Sequence, residues 1–179
     1  MNEVLKTIGN RYTCRDYNDL KVEEEKIEAI VLAALQSPSG MNKQPWKIVV
    51  IDHKALIDEM SDYAMEELKN KEDQSTYLRM MERGGTLFYN APLMFVVAIE
   101  EGKTLDCGIV VENMALAASS LGLGNCICGM ARMPLSYAKY HDQIIPEGYV
   151  FGTSLLVGYS DTVNKPHDID MNKVVYIKA

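Results

Sequence analysis

At 179 residues with 47% apolar composition, the chain is long enough to form one globular domain, residues 1–179, around a sizeable core. A formal net charge of −7 and a pI near 5.0 argue against a nucleic-acid or anionic-membrane surface, which needs clustered Lys and Arg, and no basic block is present. The first residues lack the apolar core of a signal peptide, no stretch approaches the ~20 apolar residues of a membrane span, and four cysteines lack disulfide-scaffold spacing, so a cytosolic protein with free thiols is expected.

In chain order, the first chemically suggestive segment is Arg11, Tyr12, Thr13, Cys14, Arg15. Helical spacing would put Arg11 and Arg15 on one face, and two guanidinium groups beside a Thr hydroxyl suit a terminal phosphate. Solvated N-terminal charge is the plainer reading. Glu23 to Gln36 places Ile27, Ile30, Val31, Ala34 and Leu35 at helical spacing, with Glu23, Glu24 and Glu25 where the helix dipole favours negative charge.

That helix stops in SPSGMNKQPW, residues 37–46. Pro38 and Gly40 end it, Asn42 and Gln44 offer paired donors and acceptors, and Pro45 sets up a strand from Trp46 to Ile51. Such a loop either connects two elements or grips a planar polar ligand. Lys54 to Lys69 repeats the helical pattern, and the polar Asn70 to Gly85 stretch reads as an exposed helix or a lid. Pro92 to Ile99 and Tyr149 to Tyr159 are continuous apolar runs, as expected for strands buried on both faces; Cys126 to Gly129 and Val174 to Ile177 are candidates for short strands.

The helix expected from Leu105 to Leu121 is apolar almost all round. Its polar residues Asp106, Asn113 and Ser120 recur every seven, with Glu112 and Ser119 beside them. Such a helix is either central to the core or packed against its copy across a two-fold axis. Gly122 to Met130, GLGNCICGM, has glycines that end a helix and lead into a strand, the reverse of a dinucleotide-binding fingerprint, so Gly122 and Gly124 read as a helix C-cap. Gly129 lets the following backbone meet a flat ligand edge-on. Cys126 and Cys128 share one side of a strand without a second Cys or His cluster, so buried thiols are favoured over zinc. No HExxH, GxSxG or P-loop pattern occurs. Helices and strands interleave without repeat or linker, which points to an α/β or α+β layered sheet.

Taken in order, RYTCRDY, ALQSPSGMNKQPWKIVVI, NAPLMFVVAI, DCGIVVENMALAASSLGLGNCICGM and LLVGYSDTVNKPH resemble the nitroreductase family of flavin-dependent oxidoreductases over most of the chain. The resemblance implies an α+β fold: a three-layer α/β/α sandwich with a central, mainly antiparallel sheet and a long buried helix at a homodimer interface, with FMN in each of two interface sites. It implies that Arg11, Tyr12, Thr13 and Arg15 form the N-terminal flavin segment and that Lys165 and His167 complete the phosphate cradle. Pro38, Ser39, Gly40, Met41 and Asn42 resemble the loop that reaches the flavin from the partner subunit, with Gln44 close behind, and Cys128, Gly129 and Met130 resemble the backbone along the reactive edge of the ring. Thr13 stands where Ser is usual, Gly40 where a slightly larger residue is frequent and His167 where Arg is common, which bears on phosphate affinity.

The implied activity is that of an FMN-dependent NAD(P)H:acceptor oxidoreductase. NADH or NADPH would be the donor, and a nitroaromatic, quinone or similar flat acceptor would be reduced by a ping-pong mechanism. Because the cofactor holds the electrons, neither a catalytic side chain nor a metal is expected. The alternatives are a specialised dehalogenase or ene-reductase governed by Asn70 to Phe88, a non-catalytic flavin-binding redox sensor, or a dimeric interaction module.

Overall fold

A computed structural model describes residues 2–162 and 168–178. Four antiparallel strands form its sheet: β1 (Trp46–Ile51), β2 (Leu93–Ile99), β3 (Gly124–Ile127) and β4 (Val150–Gly158), in the order β1-β2-β4-β3. Six α-helices accompany it: α1 (Glu3–Asn10), α2 (Glu24–Leu35), α3 (Lys54–Lys69), α4 (Ser75–Met81), α5 (Thr104–Ser120) and α6 (Ala138–Ile144). The central strand β2 is buried at every position, as its unbroken apolar run requires.

Strand alternation divides the core into two. Met94 and Val96 of β2 and Leu156 of β4 pack with Ile57, Met60, Ala64 and Leu68 of α3. Leu93, Phe95 and Val97 of β2 and Leu155 and Val157 of β4 pack instead with Ile30 of α2 and Val110, Met114 and Ala118 of α5. The result is helices on both faces of one antiparallel sheet, the expected three-layer α+β arrangement. The 70–85 stretch contains α4, in which Met80 is buried, Thr76 and Tyr77 are half-buried and the rest is exposed, so its helical alternative holds.

One register irregularity positions α5. Val97 pairs with Thr153 and Ala98 with Phe151, leaving Gly152 as the extra residue of a bulge. A Cβ on Gly152 would stand 2.6 Å from Cys107 Sγ and 2.8 Å from the Val97 carbonyl oxygen, so the first turns of α5 rest directly on that backbone. Gly152→Ala is expected to lower stability by about 1–3 kcal/mol through overpacking, measured as a fall in the urea midpoint.

Two expectations are corrected here. Val174 to Ile177 forms no strand; the segment has no neighbouring strand among the described residues, and Val175 and Ile177 are exposed. Gly122, at φ +76, does end α5, with Leu123 N–H donating to Ala118 and Gly122 N–H to Ser119, but Gly124 is the first residue of β3. Its glycine identity answers a close approach, since a Cβ there would lie 2.8 Å from Cys14 Sγ.

Within one chain α5 buries a single side: Cys107, Val110, Val111, Met114, Ala115 and Ala118 are buried, while Gly108 and Leu105 are exposed and Ile109, Leu116 and Ala117 are half-buried. The central-core alternative for this helix therefore does not hold within the chain. No helix among the described residues is long and apolar enough to cross a membrane.

Candidate functional site

The Arg11 to Arg15 segment is extended, not helical. Helix α1 ends at Asn10, Arg11 already has β-region dihedrals, and Thr13 forms a parallel bridge with Asn125 of β3, where Cys14 N–H donates to the Asn125 carbonyl at 2.8 Å. The helical-face reading of the arginine pair fails because pairing with β3 overrides local spacing. Residues 11, 13 and 15 still share a side, now through the two-residue period of an extended chain.

This pairing draws two predicted segments together. Arg11 and Arg15 are near enough to Cys126 to favour its thiolate electrostatically, and Arg15 acts likewise on Cys128, although burial outweighs both effects and raises the two thiols. Arg11, with a side chain 17% exposed, also pairs with Glu112 of α5 at 3.8 Å, whereas exposed Arg15 has no ion pair among the described residues. Tyr12 donates its hydroxyl to the Thr162 carbonyl at 3.0 Å, holding the strand that leaves β4. Beside it, Asn18 N–H donates to the Tyr159 carbonyl, and the Tyr159 hydroxyl bonds Glu23 and Lys26. Lys165 and His167, expected just beyond, lie outside the described residues.

After β3, Cys128 has its backbone fully engaged: its N–H donates to the Ser154 carbonyl at 2.8 Å and its carbonyl accepts the Ser154 hydroxyl at 2.6 Å. Amides of Met130 and Ala131 are directed at the Cys128 sulfur. Exposed Gly129, at the start of a 3-10 turn over Gly129–Arg132, is the open position of the three: a Cβ added there would meet nothing within 4 Å. Burial raises Cys126 from 9.0 to about 12 and Cys107 to about 11, so neither is a nucleophile at neutral pH.

A raised folded-state value means that the thiol protons add stability that is complete below the ordinary value of 9.0 and is lost as pH rises through about 12. The melting temperature is therefore expected to fall progressively above that ordinary value, and Cys126→Ala to flatten the fall, as followed by circular dichroism.

The third segment follows α2. Pro38, Gly40, Met41, Asn42 and Gln44 are exposed and Ser39 is half-buried. Met41, Asn42 and Gln44 all have positive φ, 54°, 54° and 48°, which is uncommon for residues with side chains. Ser39 Oγ accepts the Gln44 N–H at 2.8 Å and Asn42 Oδ1 accepts Gln44 Nε2 at 3.2 Å. The loop is held from beneath by α5: Asp106 accepts the Gly40 N–H at 3.2 Å, and Asn113 donates to the buried Ser37 hydroxyl at 2.9 Å.

Helix α5 thus touches every described candidate segment. Asp106 and Asn113 hold the loop, Glu112 meets Arg11, and Ser119 accepts from Asn125 at 2.9 Å. Sequence reasoning did not assign these partners to the site, nor Ser37 or Ser154; the polar stripe recurring every seven residues was the available signal. Of the described candidate residues, the Arg11–Arg15 and Cys128–Met130 groups meet at β3, and α5 joins the loop to them.

None of the described candidate residues lines a cavity of about 890 Å³ between α2 and the β1 edge, walled by Ile27, Val31 and Val50. Only Tyr12 lines a second cavity of about 360 Å³. Apart from buried Cys128, the described candidate residues are exposed or half-buried in the single chain.

The sequence profile of the nitroreductase family matches residues 8–148. A nitroreductase from Desulfitobacterium hafniense DCB-2, solved with bound FMN, is 43% identical and superimposes with a TM-score of 0.94 over 99% of this chain and 100% of that one. A protein of Archaeoglobus fulgidus, provisionally named NADH dehydrogenase/NAD(P)H nitroreductase, is 28% identical over 168 residues, 89% of this chain and 86% of that protein. An FMN reductase [NAD(P)H] of Bacillus subtilis is 26% identical over 139 residues, 74% of this chain and 56% of its own length.

Proposed function

We infer the function from one premise: this chain belongs to the nitroreductase family. It is an FMN-dependent oxidoreductase that uses NAD(P)H. FMN, when bound, supplies the redox chemistry by accepting an electron pair from the nicotinamide and delivering it to the acceptor. The acceptor is a nitroaromatic, a quinone or a similarly flat molecule, and donor and acceptor use the site in turn, a ping-pong sequence.

The residues present suit such a cofactor. Arg11, Arg15 and the Thr13 hydroxyl lie on one side of an extended segment and supply charge-assisted donors for a phosphate, in a chain whose net charge is −7. Tyr12 spends its hydroxyl on Thr162, so its part is to hold the approach of the segment carrying Lys165 and His167, which join the phosphate cradle. Gly129 offers main chain without a side chain beside the ring, flanked by Cys128 and Met130. The observation that carries this reading is the pairing of Thr13 with Asn125, which sets two arginines against the β3 edge and leaves Arg15 without a protein counter-charge among the described residues.

The working unit is a homodimer. The open face of α5 seats against its copy, and the loop of Pro38, Ser39, Gly40, Met41, Asn42 and Gln44 closes over FMN held mainly by the other protomer. That is why most of the described candidate residues stay accessible in one chain. The test is anaerobic absorbance of purified protein mixed with FMN and desalted. Retained flavin bleached by NADH or NADPH is the expected result; colourless protein would overturn the reading, and retained flavin that neither donor bleaches would favour a redox sensor.

A further inference from the structure

Every polar residue on α5 that the sequence pattern singles out has a partner in this fold, and two of them bracket one loop. Asn113 donates to Ser37 Oγ at 2.9 Å, and Asp106, seven residues earlier, accepts the Gly40 N–H at 3.2 Å. Seven residues of α-helix rise ~10.5 Å. Three residues of chain, from Ser37 to Gly40, reach at most ~10 Å when fully extended. A drawn-out loop therefore suits the two anchors, and it runs antiparallel to α5, Ser37 meeting the later helix residue and Gly40 the earlier. The backbone is extended at Ser39, with φ −144° and ψ 161°, and Pro38 biases Ser37 the same way.

Only beyond the second anchor does the chain curl. Met41 and Asn42 then take left-handed dihedrals, and Met41 is 84% exposed, so its side chain gains no burial within this chain to offset that conformation. Such residues persist where surrounding bonds over-determine them, and they gather at ligand clamps. Here the surrounding bonds are the Asp106 anchor, the Ser39 hydroxyl on Gln44 N–H and the turn bonds from Asn42 N–H to Ser39 and Lys43 N–H to Gly40. The first link also reaches deep: Ser37 is 3% exposed, and its hydroxyl donates to Ala33 while accepting from Asn113.

We propose that Asp106 and Asn113 are positioning residues which, as a seven-residue template on α5, stretch Ser37–Gly40 and aim the strained Met41–Asn42 tip at the cofactor. Neither is a catalytic residue. The inference rests on the reading that this loop contacts FMN, and it adds what fixes the loop's aim.

The experiment uses the full chain with FMN and three variants: Asp106→Ala, Asp106→Asn and Asn113→Ala. FMN affinity is read by flavin fluorescence, the bound flavin by its visible circular dichroism, and the Gly40 amide by hydrogen exchange in protein without added FMN. Asp106→Ala is expected to raise the FMN Kd roughly ten-fold, to alter the visible dichroism and to speed Gly40 exchange roughly ten-fold or more. Asp106→Asn keeps an acceptor oxygen and should stay within about two-fold of wild type on each readout. Asn113→Ala should weaken FMN binding in the same direction from the other anchor, and it carries the test if Asp106→Ala does not fold. Wild-type affinity and dichroism in both alanine variants would overturn the proposal, as would an Asp106→Asn protein as impaired as Asp106→Ala. Wild-type protein that binds no FMN would overturn the proposed function and this inference with it; FMN binding insensitive to the anchors would overturn the inference alone.

Discussion

Ala117→Lys is expected to yield a monomer that no longer retains FMN. Ala117 is half-buried at the margin of the open side of α5, next to Leu116 and across a shallow groove from Val4 of α1. The chain also exposes Val4, Leu5 and Ile8 on α1, Leu32 and Leu35 on α2 and Leu105 on α5. Exposed apolar side chains on these three helices are the kind of surface that the proposed dimer would cover. A small residue lets two α5 helices approach closely; a lysine there would carry an unpaired ammonium into the seam, at a cost of about 3–5 kcal/mol. In the proposed dimer, where the loop of one protomer closes the site of the other, flavin should leave with the partner. Sedimentation combined with the flavin-to-protein absorbance ratio reads both effects, and a flavin-loaded dimer as stable as wild type would reject this interface.

Arg11→Ala is expected to weaken FMN binding by about 1.5–3 kcal/mol, the range for losing a hydrogen bond to a charged group. Arg11 is the better of the two arginines for this test because its side chain is 17% exposed, so water replaces it poorly, whereas Arg15 is exposed. Its link to Glu112, at 3.8 Å with the carboxylate 47% exposed, is loose enough to yield to a phosphate. Arg11→Lys separates charge from fork geometry: a lysine keeps the cation but not the planar pair of donors, so it should recover only part of the loss. Titration of FMN fluorescence measures all three proteins, and an alanine variant with wild-type affinity would remove Arg11 from the phosphate site.

Much of the framework was legible because it is written locally. The strand Trp46–Ile51 and the helix Lys54–Lys69 fall where their patterns put them, since an apolar run after Pro45 and a 3.6-residue repeat need no distant information. The buried run of β2 likewise announced a strand covered on both faces, and Gly122 a helix end. By contrast, the helical period is the wrong one for Arg11 and Arg15. Two arginines four apart fit a helix face and an extended strand equally well, and only the bridge from Thr13 to Asn125 decides between them. Val174 to Ile177 has strand composition, but a strand exists only when another supplies its hydrogen bonds, and none does among the described residues.

The division has a physical cause. From sequence alone came the element types, the layered α+β arrangement and the family resemblance, because periodicity, capping residues and ordered short motifs act over a few residues. The role of the SPSGMNKQPW loop came only in part: its amides and turn residues were visible, its supports were not. Asp106 and Asn113 reach that loop across 66 and 76 residues of chain, and Ser154 locks Cys128 across 26. Partners so distant in sequence meet only when the sheet brings α2, α5, β3 and β4 together, so the tertiary structure alone decided which polar side chains hold the loop and Cys128 in place.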